Sequence, residues 1–139
     1  MGVGNELRGD DGAGPAVVKA LRYLPHRDDL LLIDAGGVPE NFTSPLRRFA
    51  PSHVLLVDAA QLDADPGEVR WLSASQTGGL TSATHSLPFA VLAEYLAREL
   101  GCRVAILGIQ PLQDELGSQL STPVKRSAAS LAEILAEEI

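Results

Sequence analysis

Residues 2–14 read Gly2-Val3-Gly4-Asn5-Glu6-Leu7-Arg8-Gly9-Asp10-Asp11-Gly12-Ala13-Gly14 and lead directly into an apolar-periodic run. Five glycines in this stretch allow tight turning and close backbone approach. Its three acids argue for a cation or a proton-transfer task at the turn, because a phosphate would be repelled. From Ala13 the periodicity is helical: Ala13, Ala16, Val17, Ala20, Leu21 and Leu24 share one face. Pro15 suits the first turn, Pro25 closes the segment, and Asp10 and Asp11 fall at the positive end of the helix.

Downstream, short apolar runs alternate with helical patterns. Leu30-Leu31-Leu32-Ile33 reads as a strand buried on both faces, ending in Asp34-Ala35-Gly36-Gly37. A weak helix over about 39–49 contains Pro45, so it is short or begins near Ser44. Val54-Leu55-Leu56-Val57 is a second buried strand and ends in Asp58. The turn Asp65-Pro66-Gly67 is followed by Glu68-Val69-Arg70-Trp71-Leu72, whose polar–apolar alternation predicts an edge strand. Its short connection implies an antiparallel pass, since a parallel crossover needs a dozen residues or more. Residues 73–84 read as a mobile Ser/Thr/Gly/Ala loop leading to His85 and Pro88. A helix then carries Phe89, Leu92, Ala93, Leu96 and Leu100 and stops at Gly101. Val104-Ala105-Ile106-Leu107 is the last buried strand. Thr122-Pro123 opens a closing helix lined by Val124, Ala128, Leu131 and Leu135.

This order predicts an α/β fold, a three-layer sandwich of one domain over residues 1–139, with a mixed, mostly parallel sheet and one antiparallel strand. The first strand is expected to be a stub, because only Met1, Gly2 and Val3 precede Gly4.

Composition narrows the function. The chain of 139 residues is 45% hydrophobic and 21% charged, as in globular proteins, and its net charge of -7 disfavours a nucleic-acid partner. No apolar run approaches the roughly 18 residues of a membrane span, and no charged-then-apolar leader is read at the start. A single cysteine, Cys102, excludes an internal disulfide and fits a reducing cytoplasm; leading into a buried strand, it reads as an inert thiol.

In open α/β sheets the ligand crevice lies beyond the carboxyl ends of parallel strands. Asp10, Asp11, Asp34, Asp58 and His85 are all expected at that rim. A single Asp at a strand end is commonly a helix cap; the convergence points to a site. His26 and His53 read as exposed boundary residues. Carboxylates with one imidazole form an O,O,N set open to zinc, nickel, manganese or iron. No His-Glu-x-x-His helix, Gly-x-Ser-x-Gly elbow or P-loop is present. A dinucleotide-binding domain fits less well. Position 7 is Leu rather than Gly, Asp34 lies 30 residues after Gly4, and the helix start carries two acids.

The motifs together, from Gly2-Val3-Gly4-Asn5 and Gly9-Asp10-Asp11-Gly12-Ala13-Gly14 through Asp34-Ala35-Gly36-Gly37, Val57-Asp58-Ala59, Pro66-Gly67-Glu68, Thr84-His85 and Gly108-Ile109-Gln110-Pro111, resemble the [NiFe]-hydrogenase maturation endopeptidases. The resemblance spans essentially the whole chain and is greatest to the branch serving hydrogenase 3 of formate hydrogenlyase. It implies a three-layer sandwich around a five-stranded mixed sheet. It also implies a peptidase that removes a C-terminal extension from the nickel-loaded large-subunit precursor. Nickel would come with the substrate, with no organic cofactor. Carried over by motif, the metal-contacting residues fall on Asp11, Asp58 and His85, and the acids linked to catalysis on Asp11 and Asp34, consistent with an aspartate-dependent protease. A monomer acting in the cytoplasm is expected. A non-catalytic nickel-cluster binding module would use the same residues.

Overall fold

The computed structural model describes residues 1–73 and 89–138. Strands β1 (Gly2–Val3), β2 (Asp34–Gly36), β3 (His53–Ala59), β4 (Val69–Leu72) and β5 (Arg103–Ile109) form one sheet in the order β2-β1-β3-β5-β4. All pairs are parallel except β4 with β5. Helices α1 (Ala13–Arg22) and α4 (Thr122–Glu138) pack together over one face of the sheet, and α2 (Thr43–Phe49) and α3 (Phe89–Leu100) cover the other.

Each face has its own core. On one side Val17 and Leu21 of α1 meet Val124, Ala128, Leu131 and Leu135 of α4 over Val57 and Ile109. The predicted stripe of the closing helix is buried residue for residue. On the other side Leu46, Leu92 and Leu96 pack on Leu56 and Ile106, with Cys102 buried among them. The Cys102 Sγ–H donates to the Leu96 carbonyl, and burial raises its thiol pKa, as an inert core thiol requires. His26 and His53 are exposed, as predicted.

Several boundaries differ from the sequence reading for identifiable reasons. Pro45 falls in the first turn of α2, which is preceded by a 3-10 turn over Pro39–Phe42, so the weak helix over 39–49 is split in two. Asp58 lies within β3 opposite Gly108, rather than after the strand. The edge strand β4 is antiparallel as expected, but its partner is β5 and not the preceding strand β3. Its Trp71 is 66% exposed. Of the loop expected over 73–84, residues 74–84 lie outside the described residues, together with His85 and Pro88.

The main correction concerns Leu30–Ile33. This apolar run is not a strand; β2 starts at Asp34. The cause is its neighbour. Strand β1 is a stub, and it reaches only Asp34 and Gly36 of β2 and Val57 of β3. The pairing of β1 with β2 runs no further upstream than Gly2 opposite Asp34, so Leu30–Leu32 has strand composition without a ladder.

Met1 marks where the stub ends. Its ammonium donates to the Leu55 carbonyl at 2.7 Å, while the Val57 amide donates to the Met1 carbonyl at 3.0 Å. Burial of this ammonium lowers its pKa from 8.0 to about 6. Between those values the unfolded chain binds more protons than the folded one, so this group makes stability rise with pH across that window. Below about pH 6 its penalty is full. Acetylating Met1 should abolish this contribution. The stability gain on acetylation should be near zero above pH 8 and grow to about 3 kcal/mol below pH 6, as measured by urea titrations of both forms.

Candidate active site

The rim beyond the carboxyl ends of β1 and β3 is organised by close backbone approach. A Cβ on Gly14 would lie 2.2 Å from the Val57 carbonyl oxygen and 2.5 Å from that of Val3. Only glycine lets the start of α1 rest directly on the sheet at this point. The chain between β1 and α1 is therefore a tight loop, with a 3-10 turn over Gly9–Gly12 that contains both aspartates. Gly4, at φ 137°, sits against this turn: a Cβ there would lie 1.8 Å from the Asp11 carbonyl oxygen and 3.1 Å from Asp58 Oδ1. A side chain at position 4 would fill the space where the two acids approach each other.

Asp11 and Asp58 are 6% and 3% exposed. Asp11 Oδ2 accepts the Asn5 amide at 2.9 Å, and Asp58 Oδ1 accepts the Ala59 amide at 2.7 Å. Burial, reinforced by the negative charge of Asp11, raises the Asp58 pKa well above the usual carboxylate range; the Ala59 amide opposes this only in part.

The two neighbouring acids of the turn have different roles. Asp10 is fully buried and is consumed by hydrogen bonds. Its Oδ2 accepts the Leu112 amide, the Gln113 amide and the Ser121 hydroxyl, and its Oδ1 accepts the Ser121 amide at 2.7 Å. Asp10 therefore clamps the turn to the loop between β5 and α4. Helix α4 begins at Thr122 itself, one residue earlier than a Thr122 cap implies, and the Ser121 hydroxyl just before it donates to Asp10. No spacing rule distinguishes Asp10 from Asp11 in the sequence. The signal that was available is Ser121, immediately before a helix.

A second clamp was not anticipated. The buried Gln110 accepts the Leu62 amide at 2.6 Å and donates to Gln61 Oε1 and the Pro111 carbonyl, each at 3.0 Å. It ties the segment after β3 to the end of β5.

Asp34 is half-buried on β2, opposite Gly2. Its Oδ1 accepts the Gly36 amide at 3.3 Å, and its carboxyl group lies within reach of Glu6, which is paired with Lys19. The structure thus brings Asp11 and Asp58 together around Gly4 and associates Asp34 with the more exposed Glu6–Lys19 pair. His85 lies outside the described residues. Among the described residues no group of three His, Cys, Asp or Glu side chains is arranged to hold a metal ion, so the Asp11–Asp58 pair needs further donors to do so. No helix among the described residues is long and apolar enough to cross a membrane.

Known proteins resemble this chain in sequence and in fold. Residues 15–138 match the model of a family described as hydrogenase maturation protease. The hydrogenase 3 maturation protease of Escherichia coli is 36% identical over 110 residues, covering 78% of this chain and 69% of that protein. The crystal structure of a [NiFe] hydrogenase maturation protease from Thermococcus kodakarensis superposes with a TM-score of 0.88 at 33% identity, over 98% of this chain and 87% of that one. The solution structure of an endopeptidase from Escherichia coli gives 0.86 at 31% identity, over 98% and 86%.

Two substitutions separate the roles of the acids. Asp10→Ala should cost about 3 kcal/mol or more, because it leaves several buried donors without an acceptor; denaturant titration measures this. Asp58→Asn should do the opposite at pH 7 and raise the denaturation midpoint. It retains the acceptor for the Ala59 amide and removes a carboxylate that burial and Asp11 disfavour. The raised folded pKa means that this gain should fade as the pH falls toward the unfolded value of 3.8.

Proposed function

This chain belongs to the hydrogenase maturation protease family, and on that premise we propose how its carboxylates divide the work of cleaving a [NiFe]-hydrogenase large-subunit precursor. The protein is an endopeptidase of [NiFe]-hydrogenase maturation. In this reading its substrate is the precursor with nickel already inserted, and the nickel belongs to the substrate. Removal of a C-terminal extension is the reaction: water adds across one peptide bond, giving a new carboxylate on the mature subunit and a free amine on the released tail.

The observation that carries the reading is the pair of buried acids Asp11 and Asp58, close enough for the charge of one to act on the other, in a loop packed against Gly4. Such a pair is stabilised by an incoming cation, because the cation relieves both the burial of charge and the mutual repulsion. Asp11 and Asp58, joined by His85, would complete the coordination of a nickel ion presented by the precursor. The cation then serves as the recognition element that aligns the scissile bond, and orientation of this kind lowers the barrier without any covalent step. Asp34, half-buried, partnered by a backbone amide and near a lysine, would take the proton from the attacking water. Asp11 has two parts in this proposal: it contacts the cation, and it is the alternative to Asp34 as acceptor of the proton from water. The reaction needs no organic cofactor. A monomeric protein working in the cytoplasm is part of the same proposal.

Nickel-loaded precursor should be shortened by the native protein and by a variant altered at the exposed Tyr23. Asp11→Asn, Asp58→Asn, His85→Ala and Asp34→Asn should each lower the processing rate by about 100-fold or more. Mass spectrometry of the precursor over time reads the result. Rates unchanged in Asp11→Asn and Asp58→Asn would remove the pair from the reaction. Binding of loaded precursor without any shortening would make the protein a nickel-cluster binding module instead.

A further inference from the structure

The two loops that meet beside the acid pair carry leucines where turn chemistry has no use for them. Leu7, in the loop between β1 and α1, is 67% exposed, and Leu112 and Leu116, in the loop between β5 and α4, are 60% and 69% exposed. None of the three belongs to either core. Turns favour Gly, Pro, Asn, Asp and Ser for backbone reasons that leucine does not share, and exposed apolar side chains gathered at one place mark an interaction surface. The loops behave as one unit. The Gly117 amide donates to the Leu7 carbonyl at 2.7 Å, the Gly9 amide to the Ser118 carbonyl at 3.1 Å, and the Asp10 amide to the Gln113 carbonyl at 2.9 Å. Asp10 Oδ2 accepts the Leu112 amide itself. Each leucine therefore stands on, or next to, a hydrogen bond that crosses between the loops, and the fold holds three apolar side chains in water on a fixed backbone.

What covers these leucines follows from their neighbours. Asp11 comes directly after Asp10 in the 3-10 turn, and Leu7 lies four residues before Asp11. Asp11 and Asp58 are themselves buried and offer a partner almost no contact area, whereas a specific protein–protein contact covers about 800 Å² on each side. A protein substrate that presents a bond to the pair must gain its hold on the surface around it, and the apolar centre of such a contact carries most of the energy. We propose that Leu7, Leu112 and Leu116 form a docking platform for an apolar patch of the large-subunit precursor, an inference that rests on Asp11 and Asp58 being where the precursor is cleaved. Because Asp10 ties the platform to the turn that carries Asp11, docking there also fixes the distance from the gripped surface to the scissile bond.

The test compares four proteins: the native chain, a triple variant Leu7→Ser, Leu112→Ser and Leu116→Ser, the same three positions changed to Met, and a control with Tyr23→Ser and Ile134→Ser. The control removes exposed apolar side chains outside the platform. Biolayer interferometry with nickel-loaded precursor gives Kd, and processing rate against precursor concentration gives KM. The serine triple should weaken both by about 30-fold or more. The methionine triple and the control should stay within about threefold of native. All three leucines are exposed, so the urea midpoint of the serine triple should match native, which separates docking from folding. Native Kd and KM in a serine triple would overturn the platform and leave the proposed cleavage standing. Precursor bound by native protein but never shortened would remove the cleavage, and loss of that binding in the serine triple would still uphold the platform. Neither binding nor shortening by native protein would sink both. A native chain that is dimeric in light scattering, and monomeric in the serine triple, would assign the leucines to a second copy and overturn the inference as well.

Discussion

The contact between Gly14 and the backbone of β1 and β3 determines where everything else at the rim can be. Because α1 starts directly on the sheet, the nine residues between Gly4 and Gly14 have no room to form a wide loop. They must turn tightly, and the 3-10 turn over Gly9–Gly12 results. That turn points consecutive side chains in different directions, which is how two adjacent aspartates come to have unrelated surroundings. Asp10 is directed at the loop before α4 and becomes a structural clamp, while Asp11 accepts the Asn5 amide and lies near enough to Asp58 for its charge to act there. A larger residue at position 14 would lift the helix and lose both placements together.

The site is thermodynamically unfavourable for the protein on its own. Asp58 is enclosed next to another carboxylate with one backbone amide for support. The surrounding structure supplies the rigidity that holds it there: Asp10 with its hydrogen bonds on one flank, and Gln110 spanning the ends of β3 and β5 on the other. Conflict of this kind, tolerated at one place and compensated around it, is what distinguishes a functional site from a structural ion pair.

Most of the fold was legible because its signals are local. The stripes of α3 and α4, the stop at Gly101 and the alternation of 69–72 each depend on a few neighbouring residues. Leu30–Ile33 was misread for the reverse reason: being a strand requires a partner, and the partner stretch of β1 is two residues long. The candidate acids were legible as a set from their positions near strand ends. Their division of labour was not, because Asp10 differs from Asp11 only through residues more than 100 positions away, at Leu112, Gln113 and Ser121. Gln110 escaped notice since a glutamine before a proline carries no spacing signal of its own.

Trp71, on the outer strand β4, gives the molecule an unusual optical character. It is the single tryptophan of the chain, and it stands 66% exposed, while the tyrosines Tyr23 and Tyr95 are 90% and 40% exposed. Among the described residues both cores are built chiefly from aliphatic side chains. The indole is therefore already largely hydrated in the native state, so its fluorescence reports the sheet's outer edge and is nearly blind to loss of the interior. Backbone circular dichroism, in contrast, follows the cooperative transition itself, and the difference between the two signals isolates fraying of β4 from unfolding of the whole.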